Sequence, residues 1–426
     1  MKCKGRAAAV GVMFLGAMAC ATPKGHAPTP EDKVVVSSGS SATPGEATPG
    51  LEAALKQSVG TELLGGNRVS LAENGAVFDT VLDEVKRARS SIHVVIFIWR
   101  PCIVGQALAD AIAAKAKEGV ACRIVVDPAG SHGFEDPLGK QLTAAGCEVH
   151  EYKPLTESTP GEYLERNHRK IVVVDGKVAI TGGFGIWKSW MGNGREREEW
   201  RDSNIRLEGP AVRKLQEAFA QNWKASGGSP LPDDVFPRIP AAGETRAAVV
   251  SSTAPQDTQS LSAAERMARA LVTSARKRLW IANSYFVPSD ELIQLIAEKA
   301  RAGVDVRVLA PGPVHDWKSI RAAQRDTYKP LLEAGVRIYE YQPTMMHAKT
   351  MLVDDRWVAV GSTNLDPLSS KQMEEDTVVL EDRALAAQQE KDFLQDITYS
   401  KRIDKSEAGI LEKISRSFFW WMGKSL

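Results

Sequence analysis

An internal repeat constrains the fold of this chain more than any other feature. The segments IAAKAKEGVACRIVV and NHRKIVVVDGKVAITGG of the first half recur in the second half, in the same order, as IAEKARAGVDVRVLA and MHAKTMLVDDRWVAVGS. Each half alternates amphipathic helical patterns with apolar, β-branched strand patterns. We therefore expect an α/β fold in which each half builds a sheet flanked by helices.

The 426 residues are enough for two domains of ordinary size. A stretch rich in glycine and proline at 227–243 is typical of a connection between domains. We predict a first domain over residues 61–235 and a second over residues 236–403.

The N-terminus has the pattern of an exported protein. Residues 1–19 contain basic residues and then a short apolar run, and Cys20 follows three small or apolar residues. This resembles a bacterial lipoprotein signal, which predicts an acylated Cys20 and an anchored protein of the cell envelope facing the periplasm, on the inner or the outer membrane. The alternative is a plain secretory signal. Residues 20–60, rich in Pro, Ser, Thr and Gly at their start, are predicted to be a disordered linker.

Two cysteines of the first half stand where the repeat places valines. Cys122 aligns with Val306 and Cys147 with Val336. Free cysteine behaves as a small apolar residue in protein cores. We therefore expect buried thiols at these positions, in preference to a disulfide or a metal site.

The repeat carries two copies of one polar motif, His-x-Lys followed by four residues and Asp. Side chains alternate along a strand, so the histidine and the lysine of each copy face the same side. The aspartate has an odd offset from the histidine, and we expect it to hold the turn of a hairpin. The predicted catalytic set is His168, Lys170, Asp175, His347, Lys349 and Asp354.

Two histidines and two lysines satisfy the needs of phosphodiester exchange without a metal or a cofactor. One imidazole can attack phosphorus and the other can protonate the leaving alcohol. The lysine ammonium groups can stabilise the non-bridging oxygens.

With these motifs the chain resembles the phospholipase D superfamily, and within it the bacterial cardiolipin synthase-like branch. The blocks NSYFVP, LLEAGVRIYEYQP and GSTNLDPLS strengthen the resemblance, which spans about residues 65 to 395. It implies two similar domains packed face to face as a pseudo-two-fold pair, with one active site between them.

The resemblance also implies roles for residues outside the motifs. Asp202, and Glu375 or its neighbour Glu374, match the acidic residues that support the histidines, and Asn364 matches a phosphate-binding asparagine. Gly185 stands where the first half would have its own asparagine, so we expect an altered site on that side.

The function implied is a phosphatidyl transferase of the cardiolipin synthase type that acts through a phosphohistidine. Hydrolysis of phospholipids is one alternative, and cleavage of nucleic acid is a weaker one, because the net charge of +1 gives no sign of a basic binding face. A non-catalytic envelope protein is disfavoured, since both His-Lys pairs are intact. The expected partners are a phospholipid and a membrane surface, and we expect a monomer.

Two aromatic segments bear on membrane contact. Trp187, Trp190 and Trp200 fit either an apolar mouth for lipid tails or the packing of a long loop. Residues 404–426 have apolar residues at helical spacing, which favours an interfacial helix over one docked on the protein's own core.

Overall fold

The computed structural model describes residues 50–156, 164–255, 260–405 and 410–422. The predicted signal peptide, Cys20 and most of the predicted linker lie outside these residues.

The first half of the chain alternates strands and helices as its sequence predicts. Its strands are β1 (Leu64–Glu73), β2 (Ser91–Ile96), β3 (Ala121–Val126), β4 (Glu148–Glu151), β5 (Ile171–Val174), β6 (Val178–Gly182) and β7 (Ser203–Glu208). Its helices are α1 (Leu51–Ser58), α2 (Ala76–Arg87), α3 (Ile103–Lys117), α4 (Lys140–Ala144) and α5 (Val212–Ala225).

The second half repeats this series and adds elements at its end. Its strands are β8 (Thr245–Ser252), β9 (Arg278–Asn283), β10 (Asp305–Pro311), β11 (Arg337–Tyr341), β12 (Lys349–Val353), β13 (Trp357–Gly361), β14 (Glu375–Glu381) and β15 (Ser400–Ile403). Its helices are α6 (Ala263–Ser274), α7 (Asp290–Arg301), α8 (Lys318–Asp326), α9 (Tyr328–Glu333), α10 (Pro367–Lys371), α11 (Arg383–Thr398) and α12 (Ile410–Met422).

The strands form a mixed sheet with pseudo-two-fold order about the antiparallel pair β1 and β8. Outward from β1 run β7, β6, β5, β2, β3 and β4, and outward from β8 run β14, β13, β12, β9, β10 and β11, with β15 added at the edge. The predicted α/β fold of two similar halves is confirmed.

The helix that follows the first parallel strand of each half explains how the parallel strand pair forms. Strands β2 and β3 are parallel, as are β9 and β10, so each pair needs a crossover, which α3 and α7 supply. Gly119 and Gly303 follow these helices with φ of +93° and +89°, a left-handed conformation that costs glycine little.

The two halves pack against each other through a shared apolar core. One buried cluster includes Val173 and Phe219 from the first half and Val358 and Phe393 from the second. Helices α5 and α11 contribute the two phenylalanines. This packing brings the two motif segments to one interface.

Helix α1 corrects the predicted linker. Residues 51–58 are helical, and Leu51 and Leu55 are buried in the core that α6 and α7 cover. The linker prediction is therefore wrong for these residues, because an apolar pair at i and i+4 gives the segment a face to bury.

A disulfide corrects the cysteine prediction. Cys122 and Cys147 are bonded, with their Cα atoms 4.7 Å apart. Cys122 lies in β3 and Cys147 directly precedes β4, one position before the first register pair of these parallel strands. In the second half the equivalent Val306 and Val336 are buried. The alignment identified core positions correctly but did not consider that facing cysteines on neighbouring strands lie within bonding distance. Cys102 is buried and takes no part in this disulfide.

The C-terminal helix has two different faces. Phe419 is 2% exposed and packs against Trp317, with ring centroids 5.3 Å apart, while Arg416 pairs with Asp290 and Asp326. Ile414, Phe418 and Trp421 are 59%, 50% and 60% exposed. The helix is thus docked on the protein and also presents an apolar strip. Within the described ranges, the helices are all too short or too polar to cross a membrane.

Candidate active site

Each motif histidine is fixed by the backbone of the opposite half. The His168 amide donates to the carbonyl of Glu374 at 2.8 Å, and the His347 amide donates to the carbonyl of Arg201 at 2.7 Å. Short parallel bridges at the same points join the segments. Neither motif can reach its position unless the two halves are assembled.

The carboxylates predicted to support the histidines do so across the interface. His168 Nδ1 lies 2.9 Å from Glu375 Oε1, and His347 Nδ1 lies 2.8 Å from Asp202 Oδ2. All four side chains are buried. A carboxylate accepts the Nδ1 proton, which leaves Nε2 of each ring for chemistry at phosphorus. Of the two predicted alternatives for the second half, Glu375 is the partner, while Glu374 Oε2 accepts a hydrogen bond from Asn222.

Glu375 is itself held by hydroxyl groups of its own half. Ser362 Oγ donates to Glu375 Oε2 at 2.5 Å, and Ser369 Oγ donates to Glu375 Oε1 at 2.6 Å. Both serines belong to the GSTNLDPLS block, which was noted only as a family resemblance.

Asp202 is held by different groups. Trp190 Nε1 donates to Asp202 Oδ2 at 2.7 Å, and the Ser203 amide donates to Asp202 Oδ1 at 2.8 Å. The Trp190 ring is also edge-on to His347, with centroids 5.0 Å apart. The loop tryptophan is therefore part of the site, a role that composition alone could not separate from ordinary packing.

The lysines lie beside their own histidines. Lys170 Nζ donates to the His168 carbonyl at 2.6 Å and lies 5.4 Å from the centroid of the Phe97 ring. Lys349 Nζ donates to the His347 carbonyl at 2.6 Å and is 3.1 Å from His347 Nε2. Both ammonium groups are buried, so they have little competition from water for an anionic ligand.

Burial controls the protonation of these groups. It lowers the pKa of His168 and of His347 to about 4, although the paired carboxylate opposes the shift. It also lowers the pKa of Lys170 to about 7 and that of Lys349 to about 8. Near neutral pH the imidazoles are therefore unprotonated. A bound phosphate anion would favour the charged form of all four groups.

The supporting carboxylates respond in the opposite way. Burial alone would raise the pKa of Asp202 and of Glu375, but the paired histidine and the nearby lysine together hold the pKa below its usual range. Both groups therefore stay ionised and can accept the Nδ1 proton throughout the neutral range.

The motif aspartates lie away from this site. Asp175 has φ of 53° in the turn between β5 and β6, and its carboxylate accepts the backbone amides of residues 89, 90 and 91. Asp354 has φ of 54° and does the same for residues 276, 277 and 278. Their placement in the catalytic set is wrong, whereas the prediction that they hold turns is confirmed.

Asn364 and Gly185 mark the difference between the two sides. Asn364 Oδ1 accepts from Ser284 Oγ at 2.7 Å, which fixes the amide near motif two. At Gly185 a Cβ atom would lie 2.9 Å from the Trp190 ring, which fills the corresponding space. The role of Asn364 in binding phosphate stays a prediction.

Two buried arginines that were not singled out in the sequence stabilise the interface. Arg169, between His168 and Lys170, has the opposite parity and extends to Asp376 at 3.4 Å. Arg201 bonds Asp396 at 2.7 Å. The parity of the motif already indicated that Arg169 faces away from the reacting groups.

Comparisons with known proteins match both halves of the chain. A family model described as "Cardiolipin synthase, PLD-like domain" matches residues 81–223 and 269–397. Cardiolipin synthase 1 of Bacillus cereus is 33% identical over 343 residues, covering 78% of this chain and 67% of the relative. Cardiolipin synthase A of Pseudomonas putida is 34% identical over 349 residues, covering 81% and 71%.

Among solved structures, phosphatidylserine synthase of Haemophilus influenzae has a similar fold. Its TM-score is 0.60 at 13% identity, over 86% of this chain and 97% of that chain. Polyphosphate kinase of Porphyromonas gingivalis has a TM-score of 0.50 at 13% identity, over 94% and 59%. At these identities the likeness concerns the fold alone.

Proposed function

The chain belongs to the cardiolipin synthase family of phospholipase D-like proteins, and we infer that it is a phosphatidyl transferase of that type. The observation that carries this inference is the crossed pairing of His168 with Glu375 and of His347 with Asp202. Two imidazoles of fixed orientation, with two buried lysines, supply the nucleophile, the acid and the charge that phosphodiester exchange requires.

The reaction proceeds in two displacements. His168 Nε2 attacks phosphorus, the bond from phosphorus to the leaving oxygen breaks, and that oxygen takes a proton from His347. The acceptor hydroxyl then gives its proton to His347, its oxygen bonds phosphorus, and the bond from phosphorus to His168 breaks. The assignment of His168 as nucleophile rests on family resemblance, because the pseudo-symmetry makes both rings geometrically suitable.

The direct test is lipid analysis by mass spectrometry after incubation with phosphatidylglycerol and phosphatidylethanolamine. We expect cardiolipin from phosphatidylglycerol, with free glycerol released, and none with the His168→Ala control. Phosphatidic acid as the main product would identify a hydrolase instead. Salt-sensitive DNA binding with DNA cleavage would favour the nucleic-acid alternative.

The exposed strip of α12 supports contact with a membrane surface. Ile414, Phe418 and Trp421 recur at i, i+4 and i+7 on the side away from α8, and Trp317, 42% exposed, lies next to the helix. Apolar and aromatic side chains in this pattern suit the boundary between lipid headgroups and tails.

The docking of α12 determines how this contact should be tested. Removal of the helix would also remove Phe419 from its core, so point substitutions are preferable. Phe418→Ser with Trp421→Ser should weaken binding to anionic liposomes, while turnover of a soluble phosphodiester stays at the wild-type value. Unchanged liposome binding would contradict the membrane contact.

An exported, lipid-anchored location remains our proposal for the chain. The disulfide between Cys122 and Cys147 supports an oxidising compartment. Intact-mass analysis should show a diacylglyceryl group that is lost in Cys20→Ser, and membrane fractionation should identify the inner or the outer membrane. Equal masses apart from the substitution would leave a plain secreted protein. Because one chain supplies both motifs, we also expect a monomer in gel filtration.

A further inference from the structure

A tyrosine outside the motifs follows the strand that pairs with β12. In the antiparallel pair β9 and β12, Asn283 is the register partner of Lys349. Tyr285 is the second residue after β9 and His347 is the second residue before β12, so both lie at the same end of this strand pair. Ser284 lies between, with its hydroxyl on Asn364.

The tyrosine is one member of a polar group on this rim of the site. Tyr285 Oη donates to Asp316 Oδ2 at 2.6 Å, and its ring stacks on His315 with centroids 5.7 Å apart. His315 Nδ1 accepts the Trp317 amide at 3.0 Å, which fixes the loop that carries Asp316. The Asp316 side chain keeps 30% exposure, so its carboxylate can still meet a ligand.

The charge of Asp316 acts on the catalytic groups. It favours the protonated forms of His347 and Lys349. Burial alone would raise the pKa of Asp316, but His315, Tyr285 and His347 together hold it below its usual value. A carboxylate repels a phosphate, so this rim is unsuited to the phosphodiester itself. It offers acceptors, the Asp316 carboxylate and the Tyr285 phenol oxygen, to a group that donates hydrogen bonds.

The first half offers no such group at the matching position. Tyr285 is the second residue after β9, and the second residue after β2 is Ile98. Phe97, the residue before it, packs on His168 with centroids 5.2 Å apart. At this position the first half is therefore apolar where the second half is polar.

We propose that Tyr285 and Asp316 form a subsite for the free hydroxyls of the glycerol group whose reacting oxygen exchanges its proton with His347. The glycerol group of the donor lipid is the leaving group in the first displacement, and the glycerol group of a second lipid molecule is the acceptor in the second. This proposal rests on the proposed transferase function and assigns the alcohol to one side of the site. Lys349, close to His347 Nε2, would repel an ammonium headgroup, which favours hydroxyls over ethanolamine.

The test is competition between two acceptors in one tube. Deuterated glycerol and ethanol are offered together with an unlabelled phosphatidylglycerol donor in detergent, and the ratio of deuterated phosphatidylglycerol to phosphatidylethanol is measured. We expect Asp316→Asn to lower this ratio about tenfold and Tyr285→Phe about threefold, sizes typical of one lost hydrogen bond. Asp355→Asn, at an exposed turn, is the matched control and should keep the wild-type ratio.

Because the ratio is internal, partial loss of folded enzyme does not change it. A wild-type ratio in Asp316→Asn would overturn the proposal. If the wild type transfers to neither alcohol, the proposed function is wrong. In that case the subsite is tested by hydrolysis. Asp316→Asn should lower the rate of hydrolysis of phosphatidylglycerol relative to that of phosphatidylethanol. An unchanged ratio of the two rates would reject the subsite.

Discussion

The two halves of the repeat deliver the same His-Lys pair but support it with different groups. Glu375 is held by the hydroxyls of Ser362 and Ser369, whereas Asp202 is held by the indole of Trp190 and a backbone amide. Both arrangements end in a carboxylate oxygen within 2.9 Å of a histidine Nδ1.

Two residues behind the carboxylates differ between the halves, and in the first half other side chains occupy the space that a larger residue would need. Gly183 aligns with Ser362, and a Cβ atom at Gly183 would lie 2.2 Å from Asp202 Oδ1. Gly185 aligns with Asn364, and Trp190 fills the space it leaves. The reaction thus requires the contact between carboxylate and imidazole in both halves. The residues that hold the carboxylate can differ, provided that the space is filled and the carboxylate keeps its hydrogen bonds.

The largest effect is expected when either motif histidine is removed. His168→Ala and His347→Ala should each abolish phosphatidyl transfer, since one covalent cycle needs both rings. A trapped phosphoryl-enzyme should form on only one of them, which peptide mapping would identify. If each variant kept about half of the activity, the halves would be independent sites.

Substitution of the supporting carboxylates tests whether both histidines need an oriented tautomer. Asp202→Asn and Glu375→Gln should each lower turnover by about 10³-fold or more, because an amide disfavours the required imidazole tautomer. Asp175→Asn is the matched control, as it keeps a turn residue that tolerates positive φ. A much milder effect of one substitution than of the other would show that only one histidine needs an oriented tautomer.

The lysines should give the reaction an alkaline limit. A lysine is charged below its pKa, so the stabilisation of phosphate is lost as pH rises through about 7 for Lys170 and about 8 for Lys349. We expect kcat/KM for a soluble phosphodiester to fall by about tenfold or more between pH 7 and pH 9. Arginine does not lose its charge in this pH range, so Lys170→Arg should leave only the decrease near pH 8 that is due to Lys349. A profile that is flat to pH 10 would contradict this assignment.

The smallest expected effect concerns the tryptophan of the first half. Trp190→Phe keeps an aromatic ring over Gly185 but removes the hydrogen bond to Asp202, so we expect a loss of about fivefold. The loss should be greater for a substrate with a poor leaving group, since Asp202 supports the proposed acid. Trp187→Phe, beside Arg100, is the control. An equal loss of activity for substrates with good and with poor leaving groups would show that Trp190 contributes only packing.

Much of this site was predictable because it is carried by local patterns. The strand period placed His168 and Lys170 on one side and Arg169 on the other, and the odd offset of Asp175 excluded it from supporting its own histidine. The resemblance supplied Asp202 and Glu375. The disulfide and the helix at residues 51–58 were missed, because each depends on what a residue meets after folding.

By itself the sequence determined the repeat, the alternation of helices and strands, and the reacting groups, since these follow from periodicity and residue type along the chain. Only the tertiary structure decided which carboxylate supports which histidine, because the contact between Asp202 and His347 spans 145 residues and exists only when the halves pack face to face. It also decided that Trp190 belongs to the site and that α12 is docked and exposed at once. Distance and burial between remote segments are set by packing, which no local pattern encodes.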